Sequence, residues 1–148
     1  MLIARRGLLV AGASAAMARP AWAQSLSRGA FTHGVASGDP LTDGVILWTR
    51  FVGGDGQIVW EISEDETFAN VAVGGAAQAS AASDYCVKVD VRGLQPGRTY
   101  FYRFLAGSGP SLTGRTRTAP VNANSLNVGL VSCANYAFGY FHAYGHMA

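Results

Sequence analysis

The chain has 148 residues, 49% of them apolar and 14% charged, with 19 glycines and a formal net charge of +2. That length holds one domain, or one domain and a piece of another. The absence of clustered Lys and Arg with interleaved aromatics excludes an electrostatic nucleic-acid surface, and abundant glycine without helix-favouring charged runs predicts short strands joined by turns.

Residues 1–23 read as a targeting segment. Arg5-Arg6 forms a positive start, Gly7 to Ala18 is weakly apolar, and Ala21-Trp22-Ala23 sets small residues where a signal peptidase cuts. The apolar stretch is too short for a bilayer of ~30 Å, which needs roughly 20 apolar residues. Arg5-Arg6 followed by Gly7-Leu8-Leu9 resembles a twin-arginine (Tat) signal, and Arg19 before the cleavage site points the same way. The pattern predicts engagement of the Tat machinery and a signal peptidase, with the mature chain periplasmic or secreted. Without the three arginines of this segment, eight basic residues face nine acidic ones, so the mature chain is close to −1.

From residue 28 to 120 the apolar alternation has period two, the signature of half-buried strands. Phe31 to Ser37 is a predicted strand, ended by Gly38-Asp39-Pro40. Val45 to Arg50 follows, with Ile46 and Trp48 on one face. Gly53-Gly54-Asp55-Gly56 is a hairpin turn. Ile58 to Ser63 should point Ile58, Trp60 and Ile62 inward and Glu61 and Ser63 outward. Glu64-Asp65-Glu66 reads as a solvated turn rather than a carboxylate site. Phe68 to Val73 is consistent with a short strand or one helical turn. Cys86 to Val91 alternates cleanly, burying Val87, Val89 and Val91. Leu94-Gln95-Pro96-Gly97-Arg98-Thr99-Tyr100 is the turn-then-tyrosine phrase of a tyrosine corner, with Tyr100 expected to fold back and donate to the backbone. Tyr100, Tyr102 and Phe104 face the core. Phe101 and Leu105 fall on the other side, either as ordinary outward apolar residues or as contacts to a neighbouring domain. Leu112 to Thr118 is the last predicted strand, making about seven in an immunoglobulin/fibronectin III-like β-sandwich.

After a linker over Ala119 to Ser125, Leu126 to Val131 is a fresh apolar run. It leads into Ser132-Cys133-Ala134-Asn135 and a helical stretch containing His142 and His146. A strand running into a polar loop and then a helix is how an α/β domain starts, and functional groups gather at the carboxyl ends of such strands. Residues 126–148 are expected to be the truncated start of a second domain, since one strand and one helix cannot bury a core.

Candidate site residues are few. From residues alone, Cys133 reads as a small buried hydrophobe. Cys86 lies on the polar side of its strand, and an oxidising compartment leaves a Cys86–Cys133 disulfide open, although the two fall in different predicted domains. His33 takes a structural or interface role. His142 and His146 have the i, i+4 spacing of a metal pair, but no third ligand accompanies them and a surface helix is the plainer reading. Asp39 and Asp43 read as turn-stabilising. No glycine-rich phosphate loop is present.

The stretch from Phe31 through His33-Gly34-Val35-Ala36-Ser37-Gly38-Asp39-Pro40-Leu41-Thr42-Asp43-Gly44 to Trp48-Thr49-Arg50 resembles the opening motif of alkaline phosphatase D (PhoD-like) enzymes. Gly93-Leu94-Gln95-Pro96-Gly97 with Tyr100-Phe101-Tyr102-Arg103-Phe104, Gly114-Arg115-Thr116-Arg117-Thr118-Ala119-Pro120 and Ser132-Cys133-Ala134-Asn135-Tyr136 with Gly139-Tyr140-Phe141 are similar to the same family in the same order. The resemblance implies an exported metallophosphoesterase that hydrolyses phosphate mono- and diesters with iron and calcium, its α/β domain behind a fibronectin-like N-terminal domain. It makes Cys133 an iron ligand in the complete enzyme. The family's remaining ligands come from later motifs that are not in this sequence, so this piece is expected to be inactive. The alternative is a non-enzymatic exported fibronectin-like module for binding or packing.

Overall fold

The computed structural model describes residues 30–132, 135, 137 and 141–147. The targeting segment and Cys133 lie outside the described residues. Two antiparallel sheets face each other. One contains β1 (Val35–Gly38), β2 (Gly44–Arg50) and β5 (Cys86–Arg92) in the order β1-β2-β5. The other contains β3 (Gly56–Ser63), β4 (Val71–Ala79), β6 (Thr99–Ala106), β7 (Gly109–Pro110) and β8 (Gly114–Arg117). Its order is β4-β3-β6, and β7 and β8 both pair with the far edge of β6. The chain changes sheet between β2 and β3, between β4 and β5, and between β5 and β6. That gives the Greek-key connectivity of an immunoglobulin/fibronectin III-like sandwich, so the architecture expected from the sequence is the one observed.

The core is the meeting of the two inner faces. Val45, Leu47, Val87, Val89 and Val91 come from the small sheet, and Ile58, Ile62, Tyr100, Tyr102, Phe104 and Ala106 from the large one. The Ile46–Trp48 pair does share a face of β2, but it is the outer one; the odd-numbered residues of that strand fill the core. Phe31 is not in a strand. Gly34 takes φ 69, which breaks the extended run and turns Phe31 inward, its ring 5.3 Å from Phe51 and 6.3 Å from Phe104.

Three local departures from the alternation have clear causes. Ser63 falls on the outward side of the pattern, yet it is fully buried. The register of β3 against β4 shifts between Ile62 and Ser63, and a bulge re-aims the side chain at that point. Its hydroxyl is satisfied there, donating to the Asn70 carbonyl at 2.8 Å and accepting from the Asp65 amide at 3.1 Å. Phe68 takes φ 57 in the loop, and β4 starts later and runs for nine residues. Its Gly74-Gly75 pair has poor strand propensity, but a side chain at 75 would sit 2.8 Å from the Trp60 indole, so the small residue is what lets Trp60 lie against the sheet. The last predicted strand, Leu112 to Thr118, is shortened to β8 (Gly114–Arg117), leaving Leu112 exposed, and the two-residue β7 precedes it. Pro110 has no N–H to give, and Ser111 repairs the ladder: its amide donates to the Phe104 carbonyl at 2.8 Å and its hydroxyl accepts from the Phe104 amide at 2.9 Å.

The outer face of the large sheet is partly covered by the chain itself. Phe68 is buried against it, with the Arg103 guanidinium 4.0 Å from its ring centroid. Arg103 also donates to Glu61 at 2.8 and 2.9 Å. Phe101 and Leu105 flank this stack and are half-buried. Glu61, expected outward, does point away from the core but is half-buried through this pairing.

Candidate functional site

The end of the sandwich where β8 finishes is closely bonded. Three turns meet there: Asp39–Asp43 between β1 and β2, Gly93–Arg98 between β5 and β6, and Thr118–Pro120 after β8. Backbone bonds lace them together. Leu94 N donates to Asp43 O at 2.9 Å, Gly97 N to Ala119 O at 3.1 Å and Ala119 N to Leu41 O at 3.0 Å. Thr118 is the hub. Its hydroxyl donates to Gln95 O at 2.7 Å and accepts from Arg98 N at 3.0 Å, and the residue is 1% exposed. Buried polar groups persist only when partnered, and every bond here ties one turn to another.

The tyrosine corner belongs to this end. Gln95 N donates to the Tyr100 hydroxyl oxygen at 2.9 Å. The corner expected from the sequence is therefore present, with the direction of the bond reversed: the hydroxyl accepts. Surface ion pairs ring the same end, Arg92–Asp43 and Arg98–Glu64, both at 3.6 Å and well solvated. Pairs of that kind add little stability.

Asp65 organises the adjacent β3–β4 loop. Its carboxylate accepts from the Thr67 hydroxyl, from Ala69 N at 3.1 Å and from Asn70 N at 3.3 Å, and shares the single Ser63 hydroxyl proton, 2.9 Å away, with the Asn70 carbonyl. These donors, the Thr67 hydroxyl foremost, hold it far below the ordinary carboxylate range. The acidic triplet is thus a turn, as its composition suggests, with one member acting as a clamp that the sequence does not single out. Ser63 and Thr67 at two residues either side of Asp65 are the signal that reveals it.

At the opposite end, Arg50 joins three segments. It donates to Asp84 at 2.8 and 3.2 Å, to the Asp84 carbonyl at 3.0 Å and to His33 Nε2 at 3.3 Å. A guanidinium only donates, so Nε2 accepts and Nδ1 carries the proton toward Thr32 Oγ1, 2.8 Å away. His33 is therefore structural, in line with its default reading. Asp84 is held below its ordinary pKa, first by the Arg50 hydrogen bond and then by the Arg50 charge.

The stretch after the sandwich contains the residues to which the sequence pattern assigns chemistry. Leu126 to Val131 forms no strand among the described residues, and Leu126, Val128 and Leu130 are 82%, 74% and 90% exposed. A strand needs a neighbour to take its backbone groups, and this run pairs with neither sheet of the sandwich. His142 and His146 sit on a six-residue helix, α1 (His142–Met147), as their spacing suggests. Cys86 is a half-buried free thiol at the start of β5. Among the described residues no three His, Cys, Asp or Glu side chains converge to hold a metal ion, so the described donor set does not fit an iron or calcium centre. No helix of the described residues is long and apolar enough to cross a membrane.

Fold and lacing together define a Greek-key β-sandwich module whose exit strand is fixed to its own turns. The family model described as the PhoD-like phosphatase N-terminal domain matches residues 14–120, ending where the laced turns end. The chain belongs to this PhoD-like N-terminal domain family. Alkaline phosphatase D of Bacillus subtilis (strain 168) is 39% identical over 131 residues, a match that covers 80% of this chain and 22% of the relative. A solved structure of PhoD is 37% identical with a TM-score of 0.70, covering 84% of this chain and 26% of that one. The chain spans about a quarter of the length of these relatives.

Proposed function

We propose that this chain is the N-terminal domain of an exported, metal-dependent phosphoric ester hydrolase, and that it serves to carry and position the hydrolytic domain rather than to react itself. The observation that supports this most is the match to the PhoD-like N-terminal domain over residues 14–120, together with the 39% identity to an alkaline phosphatase D of which this chain covers 22%. A sandwich that matches only a first quarter leaves the reacting groups to the remainder. Arg5-Arg6 and the Ala21-Trp22-Ala23 site support export through the Tat pathway.

In the complete enzyme, iron and calcium would activate water and neutralise phosphate charge. Cys133 is the residue of this chain proposed as an iron ligand, on family resemblance alone. The described residues supply no convergent set, so no step of the reaction is assigned to them.

The reading is tested with p-nitrophenyl phosphate and bis-p-nitrophenyl phosphate in the presence of calcium and iron. Residues 24–148 are expected to give no turnover above buffer, and a polypeptide extended to the length of the relatives to give metal-dependent turnover. Silence in the extended protein would leave the chain as a non-enzymatic exported module. Turnover by residues 24–148 would place the reacting groups inside this segment and overturn the division of labour.

A further inference from the structure

The laced end carries two features that the sandwich itself does not use. Asp39 has φ 46, a left-handed backbone that a β-carbon disfavours, and it directly precedes Pro40, which narrows the choice further. Gly38, one residue earlier, would accept that conformation without strain, yet the turn places it on Asp39. Among the described residues no hydrogen bond or ion pair reaches the Asp39 carboxylate, which is exposed. Strain of this kind persists only where the surroundings over-determine it, and it collects at contact and functional sites.

The second feature is Leu41. Its backbone is fixed on both sides, N–H to Gly44 O at 2.8 Å and C=O from Ala119 N at 3.0 Å, while the residue is 45% exposed. A rigid turn thus presents a leucine and an unused carboxylate. Pro40 also lines a cavity of about 500 Å³, together with Ala119, Pro120, Ala123, Ser125 and Leu126. Ala123, Ser125 and Leu126 lie beyond position 120, where the family domain ends. The turn and the polypeptide that follows the domain therefore border the same cavity.

We propose that the Asp39–Thr42 turn is the seat of the hydrolytic domain that follows this sandwich in the longer relatives. It offers apolar surface on Pro40 and Leu41 and an anionic acceptor on Asp39 for a cationic or N–H group. This rests on the proposed function above. The occupant follows from geometry and charge. The exit strand is hydrogen-bonded to the turn, so a following domain is tethered at this spot, and a short tether gives effective concentrations in the mM range. A second copy of the chain would have to displace that neighbour and, across a two-fold axis, bring two acidic turns together.

Hydrogen exchange read by mass spectrometry tests this on residues 24–148 and on the polypeptide extended to the length of the relatives. Amides 39 and 41–44 are expected to exchange at least ~tenfold more slowly in the extended protein, a coupling of about 1.4 kcal/mol. Leu41→Asp should abolish the slowing, whereas Leu112→Asp, at an exposed leucine between β7 and β8, should not. Leu41→Asp is first checked in residues 24–148 for an unchanged thermal midpoint; if it fails that check, Asp39→Asn is read in the same assay and should cut the slowing by at least ~threefold. Equal exchange in the two proteins overturns the proposal, as does an equal response to Leu112→Asp. Phosphoesterase turnover of the extended protein is measured alongside. Turnover without slowed exchange rejects the seat and keeps the enzyme; slowed exchange without turnover does the reverse.

Discussion

Two stretches of this chain carry the same alternation and meet opposite fates. Val87, Val89 and Val91 are 1%, 8% and 1% exposed, while Leu126, Val128 and Leu130 are 82%, 74% and 90% exposed. The pattern is equally strand-like in both. What differs is the neighbour. The first run pairs with β2 along its whole length and meets the large sheet across the core. The second pairs with neither sheet and covers no inner face. Alternation specifies which side of a strand wants burial; only a partner surface decides whether burial happens. The exposed run thus keeps the alternation of a strand without the burial that would make it one.

The sharpest way to break this comparison is to cut a large apolar side chain back to alanine in each region. Phe104 is fully buried at the centre of the core, and Phe104→Ala should cost about 3–5 kcal/mol. A small sandwich does not carry much more than that, so the variant is expected to be largely unfolded in urea titrations of residues 24–148. Leu130→Ala in the same protein should move stability by less than ~0.5 kcal/mol. A comparable loss from both variants would mean that the tail is part of the sandwich's folding unit.

A smaller effect sharpens the boundary between the two regions. Tyr100→Phe removes the acceptor for Gln95 N and nothing else. The expected cost is about 1–2 kcal/mol, read as a lower urea midpoint with an unchanged slope. Because that bond holds the turn against which Ala119 docks, backbone exchange should rise over residues 93–98 and 118–120 more than over β2 and β5. A uniform rise would make the corner a general stabiliser and not a local anchor.

The amino-acid pattern alone declares much of this architecture. Val87-Val89-Val91 and Tyr100-Tyr102-Phe104 reveal their inward faces because β5 pairs with β2, and β6 with β3 and β8, without a register shift. The Pro96-Gly97 turn followed by Tyr100 gives the corner from spacing alone. Three features are not legible in the pattern. The bulge at Ile62–Ser63 depends on how β4 lies against β3. The strand character of Gly74-Gly75-Ala76-Ala77 depends on the Trp60 ring. The lacing around Thr118 depends on turns that are far apart in sequence. Cys133 stands out only through resemblance, since nothing within a few residues of it supplies a second ligand.

The smallest expected effect concerns acid. Asp65 is held far below the ordinary carboxylate range by the Thr67 hydroxyl, the Ala69 amide and the Ser63 hydroxyl. A carboxylate whose folded pKa is depressed stabilises the folded state fully above its unfolded pKa, near 3.9, and gives that contribution up as pH falls through the folded value. Residues 24–148 should therefore lose stability as the pH drops below about 4, with Asp84 contributing in the same direction through Arg50. Asp65→Asn keeps an acceptor oxygen but cannot titrate, so it should lower stability at neutral pH and flatten the acid slope. The loop should loosen first, because Asp65 holds the residues that bring Phe68 onto Arg103. Exchange over residues 64–70 is the measurement, and it should rise on acidification before that of β5 does, while residues 126–131 change only by the intrinsic chemistry of exposed amides. An Asp65→Asn protein with the parent's acid slope would move the pH dependence to other carboxylates and leave the loop clamp without an energetic role.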